Sequence, residues 1–374
     1  MRVLHIISSG GMYGAEAVIL NLSHTLNTGG HHSILGVFSN DANPNVELHA
    51  VATNQGIESH LIPCSGQMDR TVGTKIRALI AATRADVVHA HGYKADIYCY
   101  FALRGQKVAR VSTCHTWYDN DWKVTLYGKI DRFVLRSFDG VVAVSDEVKR
   151  ELLQAGVSAS KVALIRNGID LTPFAGAAPT FREELEPEHP ERPIVGLVGR
   201  LSKEKGVDVF IRAAAIVLQQ MPETRFGVIG DGEDREVLEA LLDELGVRSS
   251  VRLMGPRSGM ASIYASLDVM VSASRKEGLP MAILEGLASA RPLIATPVGA
   301  VPSVVRDGET GLLIAPGDPA LLAGTIVRLL RDAELRRKLG EAGRKLIADE
   351  FSATRMTTEY LQVYEAAIAA RGQA

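Results

Sequence analysis

The chain has 374 residues, long for one domain and comfortable for two, and its 46% hydrophobic and 22% charged content is that of an ordinary globular protein. A formal net charge of −2, with no block of like charge, gives no electrostatic pull toward nucleic acid and argues against it as a partner. Three widely spaced cysteines, Cys64, Cys99 and Cys114, form neither a C-x-x-C pair nor a Cys/His ligand pattern, which argues against a disulfide framework and a zinc site and fits a reducing cytosol.

The opening "MRVLHIISSGGMYGAE" has too short an apolar run before Ser8 and Gly10 for a signal peptide, and no later run approaches the roughly 18–20 apolar residues that span a bilayer. A soluble, cytoplasmic protein is expected, with peripheral attachment at the inner face of a membrane left open. The first half then alternates apolar runs, "RVLHIIS", "HHSILGVFS", "ADVVHAHG", "ARVSTCH", "DGVVAVS" and "KVALIRNG", with longer helical patterns. Runs that are apolar without alternation suit strands buried on both faces, and strand–helix alternation implies a parallel sheet covered by helices.

A stretch rich in Pro, Gly and Glu follows, "LTPFAGAAPTFREELEPEHPERP", whose Pro173, Pro179, Pro187, Pro190 and Pro193 discourage regular structure. The strand pattern restarts with "RPIVGLVGRL", "TRFGVIGDG", "SVRLMG", "LDVMVSAS", "RPLIATP" and "GLLIAPGD". The expected class is α/β, with two doubly wound Rossmann-like domains: residues 1–170, a linker over 171–192, residues 193–351, and a C-terminal helix over 352–374. Ligands of such sheets sit beyond the carboxyl ends of the strands, so strand-to-helix loops hold the informative residues.

In chain order, the loop "SSGGMYGAE" places Gly10, Gly11 and Gly14 before a helix, where backbone N–H groups can meet a phosphate or sugar, or simply make a tight turn. Its spacing is not G-x-G-x-x-G and no acidic residue clearly ends the second strand, so a dinucleotide site is poorly supported. His89 and His91 close one strand and His115 follows another, next to Trp117 and Tyr118; each histidine reads as a structural residue or as part of a sugar surface built with the aromatic rings. The basic, aromatic stretch "WKVTLYGKIDRFVLRSF" suits an amphipathic helix on its own sheet, or one lying on an anionic membrane.

Arg200 and Lys205, five apart in a strand-to-helix loop, suit a diphosphate or are solvated surface charge. Leu279, Pro280 and Met281 mark a helix start whose free N–H groups and positive dipole end face outward. Glu277 stands just before it and Glu285 in its second turn. A glutamate there ordinarily serves the helix, but two of them suit two hydroxyl pairs, one on a sugar and one on a ribose.

Taken together, these residues resemble the retaining nucleotide-sugar glycosyltransferases of the GT-B fold, glycosyltransferase family 4. The likeness covers essentially the whole chain and is carried by Glu277/Glu285 within "EGLPMAILEGLASARPLIATPVGAVPSVV", by Arg200/Lys205 in "VGRLSKEKG", by "IRNGID" and by "DGETGLLIAPGDP". It implies two Rossmann-like domains facing a central cleft. Arg200 and Lys205 would bind the donor diphosphate, helped by backbone at Gly11 and at Gly278, Leu279, Pro280 and Met281. Glu277 would hold the transferred sugar, Glu285 the ribose, and backbone from Arg252 to Met254 the base. His115 would lie near the donor sugar and, with Glu277, Arg200 and Lys205, form the catalytic set.

The resemblance also implies the chemistry: a hexose-type sugar moves with retention, the acceptor hydroxyl giving its proton to the departing phosphate on the same face, with no catalytic metal and no cofactor. A UDP-sugar is the favoured donor and GDP-mannose the second. The acceptor, a saccharide or lipid-linked saccharide for envelope or polysaccharide synthesis, would meet Tyr13, His91, Tyr93, Lys94 and Trp117. The rival readings are a nucleotide-sugar 2-epimerase of related architecture and an NAD-dependent oxidoreductase.

Overall fold

The computed structural model describes residues 1–372 except 13, 41–43, 45, 66–68, 115–121, 187 and 279, and within the helix over 122–135 it describes side chains from residue 127 onward. Two compact units emerge: Met1–Gly168 with Ala353–Ala374, and Ile169–Ser352.

The first unit holds a parallel sheet of β1 (Arg2–Ile7), β2 (His32–Ser39), β3 (Glu58–Pro63), β4 (Val87–His91), β5 (Ala109–Cys114), β6 (Gly140–Ala143) and β7 (Val162–Leu164), in the order β3-β2-β1-β4-β5-β6-β7. The connecting helices are α1 (Gly14–Thr28), α2 (Glu47–Asn54), α3 (Val72–Thr83), α4 (Tyr93–Ala102), α5 (Trp122–Leu135) and α6 (Asp146–Gln154). Five of six β1 residues and all of β4 are buried, as parallel strands covered on both faces must be. Leu4, Ile6, Ile34, Val88 and Val141 pack with α3, α4 and α6 on one side, while Ile7, Leu35 and Val37 meet α1 and α2 on the other.

The second unit holds β8 (Ile194–Val198), β9 (Arg225–Ile229), β10 (Val251–Gly255), β11 (Val269–Ser272), β12 (Leu293–Ala295) and β13 (Leu312–Leu313), also parallel, in the order β10-β9-β8-β11-β12-β13. Its helices are α7 (Phe181–Leu185), α8 (Val207–Gln220), α9 (Arg235–Glu244), α10 (Met260–Ser266), α11 (Met281–Ala288), α12 (Pro319–Arg331) and α13 (Ala333–Glu350). In this sheet the strand order reverses between β8 and β11, which opens a crevice at their carboxyl ends. The corresponding reversal in the first sheet lies between β1 and β4.

Two features differ from the sequence expectation. The 171–192 stretch is part of the second unit's body: Phe181 and Leu185 are buried on α7, and Arg182 Nη1 donates to Asp268 Oδ2 at 3.1 Å and to Ser266 O at 2.7 Å. The prolines shorten its regular structure without freeing it from the core. The strand β3 had no counterpart among the apolar runs, because only one of its six residues is buried.

The final helix, α14 (Ala353–Gly372), belongs to the first unit, where it packs on β5, β6 and α1 and buries Tyr360 and Tyr364 completely. Among the described residues no helix is long and apolar enough to cross a membrane.

Candidate functional site

At the carboxyl end of the second sheet, four strand-to-helix loops are tied together by backbone contacts. The loop after β8 joins the one after β9 through Leu201 N donating to Asp231 O and Asp234 N donating to Leu201 O, both at 3.0 Å. It joins the loop after β11 through Arg275, whose backbone N–H donates to Glu204 O at 2.6 Å and whose guanidinium forks onto Asp208 at 2.8 and 2.7 Å. Thr296, at the end of β12, donates its hydroxyl to Ser274 O at 2.5 Å.

Two glycines permit the closest approaches. Gly206 adopts φ +65°, and a Cβ there would stand 2.1 Å from Ala273 O; Gly299 adopts φ +56°, and its Cβ would stand 1.9 Å from Glu277 O. Both combine a left-handed backbone with a space that only hydrogen can occupy. Ala300 N then donates to Gly278 O at 3.0 Å, so the 277–278 turn is fixed from below.

That turn presents Glu277 to Lys205. Lys205 Nζ donates to Glu277 Oε1 at 2.5 Å, and Ser274 Oγ donates to the same oxygen at 2.7 Å. The Glu277 side chain is only 9% exposed and that of Lys205 24%, so the pair sits in a partly dry pocket where charge–charge terms are stronger than in water. Lys205 keeps two further ammonium protons for an anion. Pro280 is the N-cap of α11 with extended backbone (φ −72°, ψ 132°) and no side-chain cap; Ile283 N closes the first turn on Pro280 O at 3.1 Å, and the N–H groups of Met281 and Ala282 precede that bond at the helix start, where an anion could meet them. Arg200 is exposed in the loop directly after β8.

Glu285, half-buried one turn further along α11, accepts the phenolic hydrogen of Tyr264 at Oε2, 2.8 Å away. Burial pushes its carboxyl up to about 7, with the Tyr264 hydrogen bond pulling it back down. Tyr264 itself is fully buried, and burial beside that carboxyl drives its hydroxyl well above the usual phenol range. Sequence reasoning missed Tyr264 and Ser274: the first reaches Glu285 from 21 residues upstream, on another helix, and no local spacing announces it. Arg252 and Met254 lie on the edge strand β10 and line a cleft with Arg235, Arg248 and Arg257.

In the first unit, Gly11 has φ +139°, and Ser9 Oγ donates to Gly11 O and to Glu16 Oε1, both at 3.0 Å. His89 and His91 share a sheet face with His5 of the neighbouring strand. His5 Nδ1 lies 3.1 Å from His91 Nε2, and His89 bridges Tyr364 OH and Thr113 Oγ1, each at 2.8 Å. These three imidazoles come close enough to hold an ion; His5 Nδ1 faces His91 Nε2 and both His89 nitrogens meet hydroxyls, while His5 Nε2 is buried without a hydrogen-bond partner among the described residues and His91 is 6% exposed. They form a buried polar network under α14, and burial lowers His5 to a pKa of about 3, which keeps it neutral.

Tyr93 is 40% exposed and stacks on Tyr127 with centroids 5.7 Å apart, and Lys94 Nζ stands 5.3 Å over the Phe38 ring. His115, Trp117, Tyr13 and Leu279, all expected near the site, lie outside the described residues. The structure thus brings Lys205, Ser274, Glu277 and Pro280 around one pocket of the second unit; Gly278 and Met281 flank Pro280 in the chain, Glu285 lies further along α11 against Tyr264, and Arg200 is in the loop after β8.

The family model described as glycosyl transferases group 1 matches residues 180–346, and that of glycosyltransferase family 4 matches residues 12–173. D-inositol 3-phosphate glycosyltransferase of Salinispora arenicola is 31% identical over 323 residues, 78% of this chain and 71% of the relative. Sulfoquinovosyl transferase SQD2 of Arabidopsis thaliana is 28% identical over 80% of this chain, which spans 63% of that longer protein. The crystal structure of Anabaena HepE in complex with UDP superposes with a TM-score of 0.82 over 97% of this chain and 99% of that one, at 19% identity. A sucrose-phosphate synthase from Thermosynechococcus elongatus gives 0.79 over 99% of each chain at 22% identity. At these identities the structures establish a shared GT-B architecture.

Proposed function

Since the chain belongs to the glycosyl transferases group 1 family, we propose that it is a retaining hexosyltransferase that takes its sugar from a nucleoside diphosphate and passes it to a saccharide or lipid-linked saccharide. The observation that carries this reading is the Lys205–Glu277–Ser274 cluster beside the uncapped start of α11. Cleaving the anomeric C–O bond puts negative charge on a departing diphosphate and positive charge on the sugar ring. Lys205, Arg200 and the α11 N–H groups stabilise the first, and the Glu277 carboxylate, held by Lys205 and Ser274, accepts hydroxyls of the sugar and offsets the second.

Retention follows if the acceptor hydroxyl attacks on the face the diphosphate leaves. Its oxygen bonds to the anomeric carbon while its proton passes to the departing phosphate oxygen, so no side-chain base is needed and Glu277 stays non-covalent. Cations and backbone dipoles fill the role a metal would play, so the reaction is proposed to be metal-independent and without cofactor. His115 would stand near the donor sugar, and Tyr93 and Lys94, with Tyr13 and Trp117, would meet the acceptor, whereas His91, expected there from the sequence, is buried in the histidine network. UDP is the favoured nucleotide, supported by the UDP and UDP-glucose complexes of the similarly folded HepE, with GDP second. Phe133 and Ile130, 61% and 38% exposed on α5 beside exposed Lys129 and Arg136, support peripheral contact with an anionic bilayer carrying a lipid-linked acceptor.

The test is a thermal-shift titration with UDP, GDP, ADP and their sugar conjugates, followed by anomeric proton NMR of any product. Stabilisation by one nucleotide, lost in Lys205→Ala, and a product of unchanged anomeric configuration bear the reading out. Stabilisation by none of them, or an inverted product, overturns it.

A further inference from the structure

Behind α11, which opens beside the Lys205–Glu277 pocket, lies a hydrogen bond whose donor no part of the catalytic scheme above uses. Tyr264, on α10, is fully enclosed and gives its one hydroxyl proton to Glu285 Oε2 at 2.8 Å. The position of that phenol is over-determined. Its ring centroid lies 6.3 Å from that of Phe174, in the segment that opens the second unit, and Leu171 and Phe174 pack on the same apolar cluster as Tyr264, Ile283 and Leu284. Helix α10 is further pinned by a 2.6 Å hydrogen bond between Thr180 and Ser262, and by Arg182 holding Ser266 O at its end. A tyrosine locked in this way cannot follow Glu285 if the carboxylate turns; the carboxylate has to meet the tyrosine.

We propose that Tyr264 is a positioning residue for nucleotide recognition: by occupying Oε2 of Glu285 it fixes the carboxylate plane and leaves Oε1 to accept from a vicinal diol. This deepens the nucleotide-sugar reading and rests on it. The ligand class is a ribonucleoside diphosphate, because a ribose offers two adjacent hydroxyl donors, and a carboxylate of fixed orientation discriminates them from the single hydroxyl of a deoxyribose. An acceptor-only carboxylate is the appropriate partner for such a pair; a protonated one would keep one oxygen as a donor and repel a hydroxyl hydrogen. Desolvation works against the ionised form and the tyrosine's hydrogen bond works for it, so the two effects meet on this one side chain.

The experiment is isothermal titration of UDP, and of GDP in parallel, into the full-length protein from pH 5.5 to 8.5, using wild type, Tyr264→Phe, Glu285→Gln and the double variant. In wild type, affinity should rise with pH through the neutral range. Tyr264→Phe keeps the ring and its packing, and should weaken binding about tenfold at pH 7 and move the rise to higher pH. With the sugar nucleotide as substrate it should raise donor KM by a similar factor while kcat stays within about twofold. UDP should bind better than its 2′-deoxy analogue in wild type, by a ratio that shrinks in Tyr264→Phe. Glu285→Gln should flatten the pH profile, and adding Tyr264→Phe to it should change nothing further, a non-additivity that separates positioning from mere packing. An unmoved pH profile and unmoved KM in a well-folded Tyr264→Phe, or full additivity in the double variant, overturns the proposal while leaving the transferase reading standing. Failure of the wild type to bind any nucleoside diphosphate brings down that reading and this inference with it.

Discussion

Lys205 Nζ lies 2.5 Å from Glu277 Oε1 across 72 residues of sequence, and the hydroxyl of Ser274 completes the contact. Lys205→Met removes the cation from a carboxylate that is 9% exposed and leaves its charge with the serine alone. The expected cost is about 1–3 kcal/mol of unfolding free energy, below the range for fully buried pairs because the lysine is partly solvated. Nucleoside diphosphate binding should fall at least about a hundredfold. Urea melts and calorimetry check both, and a variant that binds UDP as tightly as wild type removes Lys205 from the donor site.

Glu285 links stability to pH with a sign unusual for a carboxylate. Its pKa stands near 7 in the fold against an ordinary 4.5, so between those values the folded chain holds a proton that the unfolded chain releases. Stability from this group is therefore greatest at and below the unfolded value and declines as pH rises through 7, by about 3.5 kcal/mol in all at about 1.4 kcal/mol per unit. Glu285→Gln should raise the melting point of the ligand-free protein at pH 8 and leave it nearly unchanged at pH 5. Equal shifts at both pH values would contradict the assignment.

His5 works in the opposite direction. With a folded pKa of about 3 against an ordinary 6.5, the stability it confers is complete above 6.5 and is lost progressively as pH falls toward 3, because the unfolded chain takes up a proton that the fold excludes. His5 packs against His89 and His91, and His89 in turn meets Tyr364, itself beside Tyr360, so the ring contacts of this network are imidazoles and phenols. His5→Gln, which retains a hydrogen-bonding group toward His91, should lower the pH midpoint of acid unfolding of the first unit. Far-UV circular dichroism across pH 3–7 follows it.

Gly299→Ala tests whether the turn carrying Glu277 must sit where it does. The added methyl would stand 1.9 Å from Glu277 O, on a backbone already at φ +56°. Either the 277–278 turn or the loop after β12 must move. Loss of nucleotide binding with a melting point lowered by several degrees is expected; a variant with wild-type affinity would show that the turn's position is not critical.

How much of this was legible beforehand depended on locality. Strands such as β1 and β4 announced themselves because burial on both faces demands uninterrupted apolar residues, whereas β3, at a sheet edge with one buried residue, has no such demand on it. The 171–192 stretch read as a linker from its prolines, but the burial of Phe181 and Leu185 and the Arg182–Asp268 pair depend on partners that lie far along the chain. Glu277, Glu285 and Lys205 were visible because each occupies a strand-to-helix loop or a helix start. Tyr264 was not: it is an ordinary apolar-helix residue until the fold sets α10 against α11.

The path of the chain has a consequence for biosynthesis. The second unit starts and finishes side by side, with Ile169 N donating to Phe351 O at 2.9 Å, and the helix that follows returns to bury Tyr360 and Tyr364 in the first unit. On the ribosome, the unit begun first is therefore completed last: residues 169–352 can fold as soon as they emerge, while the earlier sheet waits, its histidine network uncovered, until α14 is made. Nascent chains stalled just before Ala353 should be the most exposed to chaperones and proteases, and should yield a protected fragment over the central segment alone.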